Sequence, residues 1–259
     1  MVMKKVGGLV LFMAVLCGII SSYAFAGSTK EITISAAISL KNAFEEIGKL
    51  YESRQGTTCV FNFGASGDLM KQIAGGAPVD VFASAAQKDM DEADKQGFII
   101  TATRTNFAAN SVVLIVPSGA KTSLKNFEGL GAADIKKIAL GNPKTVPAGR
   151  YAEEVFNFYQ ILSAIKDKFI FAENVRQVLD YVARGEVDAG VVYATDAASR
   201  SKEIEIIATA PEASHKPVVY PIAAVKGTKS EADARAFISL VLSHEGQKIL
   251  QEHGFRSSK

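Results

Sequence analysis

Two serines stand where a predicted strand gives way to a predicted helix, and hydroxyl groups at such places can bind anions. Ser39 follows the apolar segment 32–38, and Ser66 follows the segment 59–63 with only small residues between them. A helix start leaves several backbone N–H donors unpaired and carries roughly half a unit of positive charge. The first basic residue after Ser66 is Lys71. The pattern therefore predicts an anion site made of neutral hydroxyl and backbone donors.

The same order of strand, small residues and helix start recurs near Ala148 and at Asn174, and Tyr193 ends the apolar segment 187–193. Each position also has a purely structural interpretation. A serine or asparagine at a helix start can cap the helix, and a tyrosine at a strand end can pack in the core. Arg150, one turn into the helix after Ala148, is interpreted as a rim residue and not as the counter-charge of a ligand.

The sequence offers little support for catalysis. Beyond residue 26 it contains three histidines, His215, His244 and His253, without the HExxH spacing of a zinc site or a cysteine partner. The GxSxG, GxxxxGK[ST] and GxGxxG motifs are absent. A hydrolase that uses Ser39 or Ser66 as nucleophile is an alternative, but it lacks an evident base. We therefore expect a binding protein that is not an enzyme and uses no cofactor.

The first 26 residues have the three parts of a secretory signal peptide. Lys4 and Lys5 precede the apolar run 6–20, and Ala24-Phe25-Ala26 forms a small-x-small cleavage site. The run is short for a transmembrane anchor. Lipidation at Cys17 is a further alternative, disfavoured because leucine precedes the cysteine where a small residue is expected. We expect cleavage after Ala26 and a periplasmic protein.

Cleavage would leave a formally neutral chain. The whole chain has 29 basic and 27 acidic residues, and the loss of Lys4 and Lys5 makes these numbers equal. The composition therefore gives no basic footprint for nucleic acid or an acidic membrane. Cys59 would be the only remaining cysteine, so an intramolecular disulfide is excluded, and its alternating strand predicts a buried thiol. A ligand-sensing domain of a gene regulator is disfavoured, because no DNA-binding helix pair precedes the first strand.

Strands and amphipathic helices alternate along the rest of the chain, which is typical of α/β proteins with mostly parallel sheets. The pattern restarts at the apolar strand 111–117 and again after Pro217. We expect two lobes. The first contains residues 27–107 and 217–259, and the second, residues 108–216, is inserted into it.

Several short segments around the candidate residues form a pattern. They are Ala36-Ala37-Ile38-Ser39-Leu40, Phe63-Gly64-Ala65-Ser66-Gly67, Gly75-Gly76-Ala77-Pro78-Val79-Asp80-Val81-Phe82, Gly141-Asn142-Pro143, Val146-Pro147-Ala148-Gly149, Asn174-Val175-Arg176 and Gly190-Val191-Val192-Tyr193. Each segment alone is a weak signal. Their order and spacing together resemble those of the periplasmic molybdate-binding proteins of bacterial ABC transporters, and the resemblance covers essentially the whole chain after the signal segment.

The resemblance implies a type II periplasmic-binding-protein fold, in which two lobes, each a mixed, mostly parallel sheet flanked by helices, close over a tetrahedral oxyanion. By motif, Ser39 and Ser66 would donate from the first lobe through hydroxyl and N–H groups. Ala148 and Val175 would donate backbone N–H groups from the second lobe, and Tyr193 its hydroxyl. Molybdenum would thus be bound only as the oxyanion, through these residues.

The resemblance also implies a transport receptor. It would bind molybdate, and tungstate too, as a monomer and deliver the anion to the membrane permease of an ABC transporter. A receptor for sulfate or another oxyanion is the alternative within the same class, and discrimination from sulfate would rest on cavity size because both ions are tetrahedral dianions. Donors without acceptors would reject protonated anions such as phosphate. Where the family often has another hydroxyl beside the second serine, this chain has Gly67.

Overall fold

The computed structural model describes residues 30–258, which form ten strands and nine α-helices. The predicted signal peptide and Cys17 lie outside the described residues. In chain order the strands are β1 (Glu31–Ala37), β2 (Thr58–Gly64), β3 (Val81–Ala83), β4 (Thr105–Ala109), β5 (Val112–Pro117), β6 (Ile138–Gly141), β7 (Phe169–Ala172), β8 (Ala189–Tyr193), β9 (Ile204–Thr209) and β10 (Val219–Ala224). The helices are α1 (Lys41–Gln55), α2 (Ser66–Ala74), α3 (Gln87–Lys95), α4 (Pro147–Phe158), α5 (Leu162–Ile165), α6 (Val175–Ala183), α7 (Ala194–Ala198), α8 (Glu231–Leu242) and α9 (His244–Glu252).

The strands form two sheets of five, with the orders β2-β1-β3-β10-β4 and β7-β6-β8-β5-β9. In the first sheet, β1 pairs in parallel with β2 and β3, whereas β10 is antiparallel to β3 and β4. The second sheet repeats this arrangement, since β6 is parallel to β7 and β8, and β5 is antiparallel to β8 and β9. The predicted α/β fold with mixed sheets is confirmed. Parallel and antiparallel pairings are equally represented among these strands.

The chain crosses between the sheets twice. It leaves the first sheet after β4 and returns after β9, so residues 112–209 carry all the described strands of the second sheet. The first sheet extends to Ala109, two residues beyond the predicted lobe boundary. Both crossings therefore lie close to positions where the hydrophobic pattern restarts.

Helix α1 shows how the sequence specifies an element. Ala43, Phe44, Ile47 and Tyr51 fall at helical spacing and are all buried against the first sheet. Gly56 ends the helix with a φ of 65°, a left-handed conformation that glycine adopts without steric cost. The spacing of the apolar residues and the glycine stop thus specify this helix.

Two strands were not predicted, β4 and β9. Each lies at the edge of its sheet and pairs with a single neighbour, and β9 is largely exposed. The buried, wholly apolar pattern that identifies a central strand is therefore missing from both.

Cys59 lies in β2 with intermediate exposure, so the thiol is only partly buried. Burial, together with the nearby Glu52 carboxylate, raises the pKa of Cys59 to about 12. A thiol with so high a pKa is a poor nucleophile near neutral pH.

In residues 30–258 no helix has the length and apolar composition needed to cross a membrane.

Candidate binding site

One small cavity between the two sheets brings together all five residues that the sequence predicted as ligand contacts. They are Ser39, Ser66, Ala148, Val175 and Tyr193. Each of the five is buried. The cavity has a volume of about 10 Å³, roughly the space that one water molecule needs. Because its walls come from both sheets, a larger ligand can occupy it only if these walls move apart.

Each of the five residues lies at the carboxyl end of a strand. Ser39 follows β1 and Ser66 follows β2, and these two strands are parallel neighbours. Ala148 follows β6, Val175 follows β7 and Tyr193 ends β8, which are neighbours in the parallel half of the second sheet. Carboxyl ends of adjacent parallel strands meet at one sheet edge, where open α/β sheets bind their ligands. The topology therefore places all five groups where a ligand is expected.

Three of the five residues supply unpaired backbone donors. Ser66 and Val175 are the first residues of α2 and α6, and Ala148 is the second residue of α4. N–H groups in a first turn have no acceptor four residues earlier within the helix. Asn174 caps α6, because its Oδ1 accepts a hydrogen bond from the N–H of Gln177 at 3.0 Å. The cap predicted at Asn174 is confirmed.

The two serines do not cap helices, so the interpretation of their hydroxyls as caps is wrong. Ser39 lies inside a 3₁₀ turn (Ile38–Leu40), and its Oγ is 3.0 Å from the hydroxyl of Tyr220. The Oγ of Ser66 accepts a hydrogen bond from the N–H of Ala85 at 2.9 Å. A hydroxyl oxygen that accepts such a bond keeps its own hydrogen for donation. Ser66 can therefore donate into the cavity.

Helix α7 begins at Ala194, so Thr195 and Asp196 lie within it, and no side chain caps its start.

Tyr193 packs with its ring edge-on to Tyr151 and Tyr220. Its hydroxyl makes only a long contact, 3.5 Å, to the carbonyl oxygen of Ala85 in the facing wall. Burial raises the pKa of Tyr193 well above its usual range. The hydroxyl therefore keeps its proton over the physiological pH range and can serve as a donor.

The cavity lining contains no charged side chain. Arg150 does not line it. Its guanidinium forms an ion pair with Asp89 of α3, and both side chains are largely buried. Burial raises the pKa of Asp89, while the neighbouring Arg150 acts in the opposite direction. Arg150 thus joins α4 to α3 across the two sheets and leaves the cavity to neutral donors.

Gly67, the residue beside Ser66, uses its backbone N–H for a contact within the protein, so this N–H is not free for a ligand. Its N–H donates to the carbonyl oxygen of Thr145, 3.0 Å away, in the loop between β6 and α4. A Cβ atom at position 67 would lie 2.7 Å from that oxygen. Only glycine allows the two backbones to approach this closely.

Asp196 is a fully buried carboxylate near the site, in α7. Its Oδ1 accepts from the Nε of Arg176 at 2.5 Å, whereas Oδ2 has no hydrogen-bond partner in the described part of the chain. Burial raises the pKa of Asp196 and the Arg176 guanidinium lowers it, and the net result is a pKa of about 6. The charged form is therefore costly in the folded protein.

The Asp196→Asn variant tests this cost. Because the folded-state pKa lies above the ordinary value of about 4, the folded protein holds the proton more tightly than the unfolded chain does. The stability that Asp196 contributes is therefore present at pH 4 and is lost as the pH rises through 6. We expect the unfolding free energy of wild type, relative to Asp196→Asn, to fall by about 1 to 3 kcal/mol between pH 4 and pH 7. Urea denaturation at each pH measures it, and a constant or rising difference would contradict it.

Within residues 30–258, no group of three or more His, Cys, Asp and Glu side chains is arranged to hold a metal ion. The groups that line the cavity are neutral hydrogen-bond donors and apolar side chains.

Two mixed sheets linked by two crossings, with a cavity at their facing strand ends, define the type II class of periplasmic binding proteins. The chain belongs to the family of bacterial extracellular solute-binding proteins, which it matches over residues 32–256.

Individual relatives narrow the comparison. The chain is 42% identical to a putative ABC transporter substrate-binding lipoprotein, YvgL, of Bacillus subtilis, over 86% of this chain and 85% of the relative. It is 36% identical to the molybdate-binding protein ModA of Escherichia coli, over 90% and 93% of the two chains. Among solved structures it is similar to the substrate-binding domain of a putative molybdenum ABC transporter from Clostridium difficile. That similarity has a TM-score of 0.68 and 37% identity, and covers 88% of this chain and 99% of the other.

Proposed function

We propose that this protein binds molybdate, and tungstate too, outside the cytoplasm and delivers the anion to the membrane permease of an ABC transporter. The observation that carries the proposal is the cavity itself. Five residues from five separate strand ends line it, and all of them offer neutral donors. Relatives named as molybdate-binding proteins and as part of a molybdenum transporter support the same ligand.

Hydrogen bonds of this kind are strong enough to account for micromolar binding of a dianion. A charge-assisted hydrogen bond contributes roughly 1.5 to 3 kcal/mol. Six or seven of them would give on the order of 10 to 20 kcal/mol, and a micromolar affinity requires about 8 kcal/mol. The remainder offsets desolvation of the dianion and closure of the two walls.

We propose binding without catalysis. A serine nucleophile needs a base within hydrogen-bond reach, but Ser39 contacts a tyrosine hydroxyl and Ser66 accepts from a backbone N–H. His253 pairs with Glu46, and His215 contacts its neighbouring carbonyl and the ring of Tyr151. The neutral donors therefore serve recognition and need no cofactor.

The remaining parts of the proposal concern processing and motion. The signal peptide would be removed after Ala26, and the mature protein would act in the periplasm as a monomer with no nucleic-acid partner. The two sheets would mark two lobes, residues 27–107 with 217–259 and residues 108–216. Binding would close them by a hinge at the two crossings.

Calorimetric titration of the mature protein with molybdate, tungstate and sulfate tests the proposal. We expect molybdate and tungstate to bind with micromolar or tighter affinity, and sulfate much more weakly because it is smaller. Tight binding of sulfate without molybdate would make the protein a sulfate receptor. Absence of heat with all three anions would overturn the oxyanion proposal altogether.

A further inference from the structure

Asn110 is a buried amide at the crossing between β4 and β5, and its side chain touches both sides of the molecule. Its Nδ2 donates to Thr195 Oγ1 at 2.8 Å, in helix α7 that follows β8 of the second sheet. It also donates to the hydroxyl of Tyr220 at 3.2 Å, in β10 of the first sheet. Its Oδ1 accepts from the N–H of Ser111 at 2.9 Å. None of these residues lines the cavity itself.

These contacts fix the orientation of the amide. The Ser111 N–H can only donate, so it must face Oδ1, and Nδ2 with its two hydrogens must face Thr195 and Tyr220. The Tyr220 oxygen therefore accepts from Asn110. Tyr220 is fully buried and retains its single hydrogen, because burial raises its pKa.

The hydrogen of Tyr220 has one partner among the contacts described, the Oγ of Ser39, 3.0 Å away. Donation from Tyr220 to Ser39 leaves the hydrogen of Ser39 for the cavity that Ser39 lines. A chain of hydrogen bonds thus runs in one direction, from Asn110 to Tyr220 to Ser39 and on to the site. Such chains strengthen each member through mutual polarisation.

We propose that Asn110 is a positioning residue that, through Tyr220, holds the Ser39 hydroxyl as a donor to the bound oxyanion. The inference rests on the proposed function, since it needs an anion in the cavity. Ser66 reaches the same state by another route, because its oxygen accepts from a backbone N–H that no side-chain substitution removes. Both hydroxyls are then held as donors toward the cavity.

The substitution Asn110→Asp reverses the chain. A carboxylate only accepts, so Tyr220 would donate to residue 110 and its oxygen would accept from Ser39. The Ser39 hydrogen would then bond to Tyr220 and could no longer be donated to the ligand. We expect molybdate affinity to fall about ten- to a hundredfold, the value of one charge-assisted hydrogen bond.

A double-mutant cycle with Tyr220→Phe separates this effect from others. Tyr220→Phe breaks the chain but leaves the Ser39 hydroxyl free to turn toward the ligand, so we expect only a small loss of affinity. In that background Asn110→Asp should cost far less than in wild type. Repulsion between the new carboxylate and the anion, or a general loosening of the crossing, would cost the same in both backgrounds.

The cycle is measured by calorimetry with molybdate, with thermal melts to show that each variant folds. If Asn110→Asp does not fold, Asn110→Ala takes its place, and its loss of affinity should likewise shrink in the Tyr220→Phe background. Equal losses in both backgrounds would overturn the inference. If wild type itself binds neither molybdate nor tungstate, the proposed function fails first, so the two failures are distinguishable.

Discussion

The double variant Ser39→Ala/Ser66→Ala is expected to lose molybdate affinity by roughly 3 to 6 kcal/mol, the sum of two charge-assisted hydrogen bonds. Both hydroxyls line the cavity. The Ser66 oxygen accepts from the N–H of Ala85, and the Ser39 oxygen lies 3.0 Å from the Tyr220 hydroxyl, so each serine keeps a hydrogen that can face a ligand. Calorimetry of the two single variants and the double variant measures the loss.

The free energy of unfolding shows whether the serines also have a structural role. Ser66→Ala leaves the buried N–H of Ala85 without its acceptor, which costs about 1 to 3 kcal/mol of unfolding free energy. Ser53→Ala is a matched control, because Ser53 is exposed on α1 and its hydroxyl bonds only to the carbonyl of Leu50. Full affinity in the double variant, with stability lost, would show that both serines are structural.

The variant Gly67→Ala is expected to weaken molybdate binding by about tenfold or more while each sheet keeps its own stability. The added Cβ would lie 2.7 Å from the Thr145 oxygen and 2.9 Å from its Cα, and backbone atoms cannot move aside as a flexible side chain can. Overpacking of this kind costs typically about 1 to 3 kcal/mol. Because Thr145 belongs to the opposite wall, the cost falls on the closed arrangement alone.

Calorimetry gives the affinity of Gly67→Ala, and small-angle scattering with molybdate present should show a larger radius of gyration than wild type. Gly131→Ala is the control, since a Cβ there would meet nothing within 4 Å. Unchanged affinity in Gly67→Ala would mean that the contact to Thr145 plays no part in closure.

The sequence predicted which residues form the site, but it did not predict the hydrogen-bond partners of their side chains. The strand and helix-start pattern singled out Ser39 and Ser66, and the resemblance to molybdate-binding proteins implied the full set with Ala148, Val175 and Tyr193. All five follow strands, and strand ends of parallel sheets converge by topology. That convergence depends on local patterns and their order, both of which can be read along a chain. The structure places the five residues in one cavity, while their contact with a ligand stays a prediction.

What the sequence did not reveal depends on contacts between distant segments. The partner of Arg150 is Asp89, 61 residues away, and the Ser39 hydroxyl meets Tyr220, 181 residues away. Nothing in the local pattern of Asn110 marks it as a link between the sheets. The edge strands β4 and β9 were not predicted, because a strand that pairs on one side needs no continuous apolar pattern.

Anomalous X-ray diffraction from crystals of the mature protein grown with molybdate tests the central claim most directly. We predict one strong molybdenum peak in the cavity between the sheets, with oxyanion oxygens within hydrogen-bond distance of Ser39, Ser66, Ala148, Val175 and Tyr193. Arg150 should remain paired with Asp89. A molybdenum peak elsewhere, or one held by lysine and arginine side chains, would contradict a site built from neutral donors.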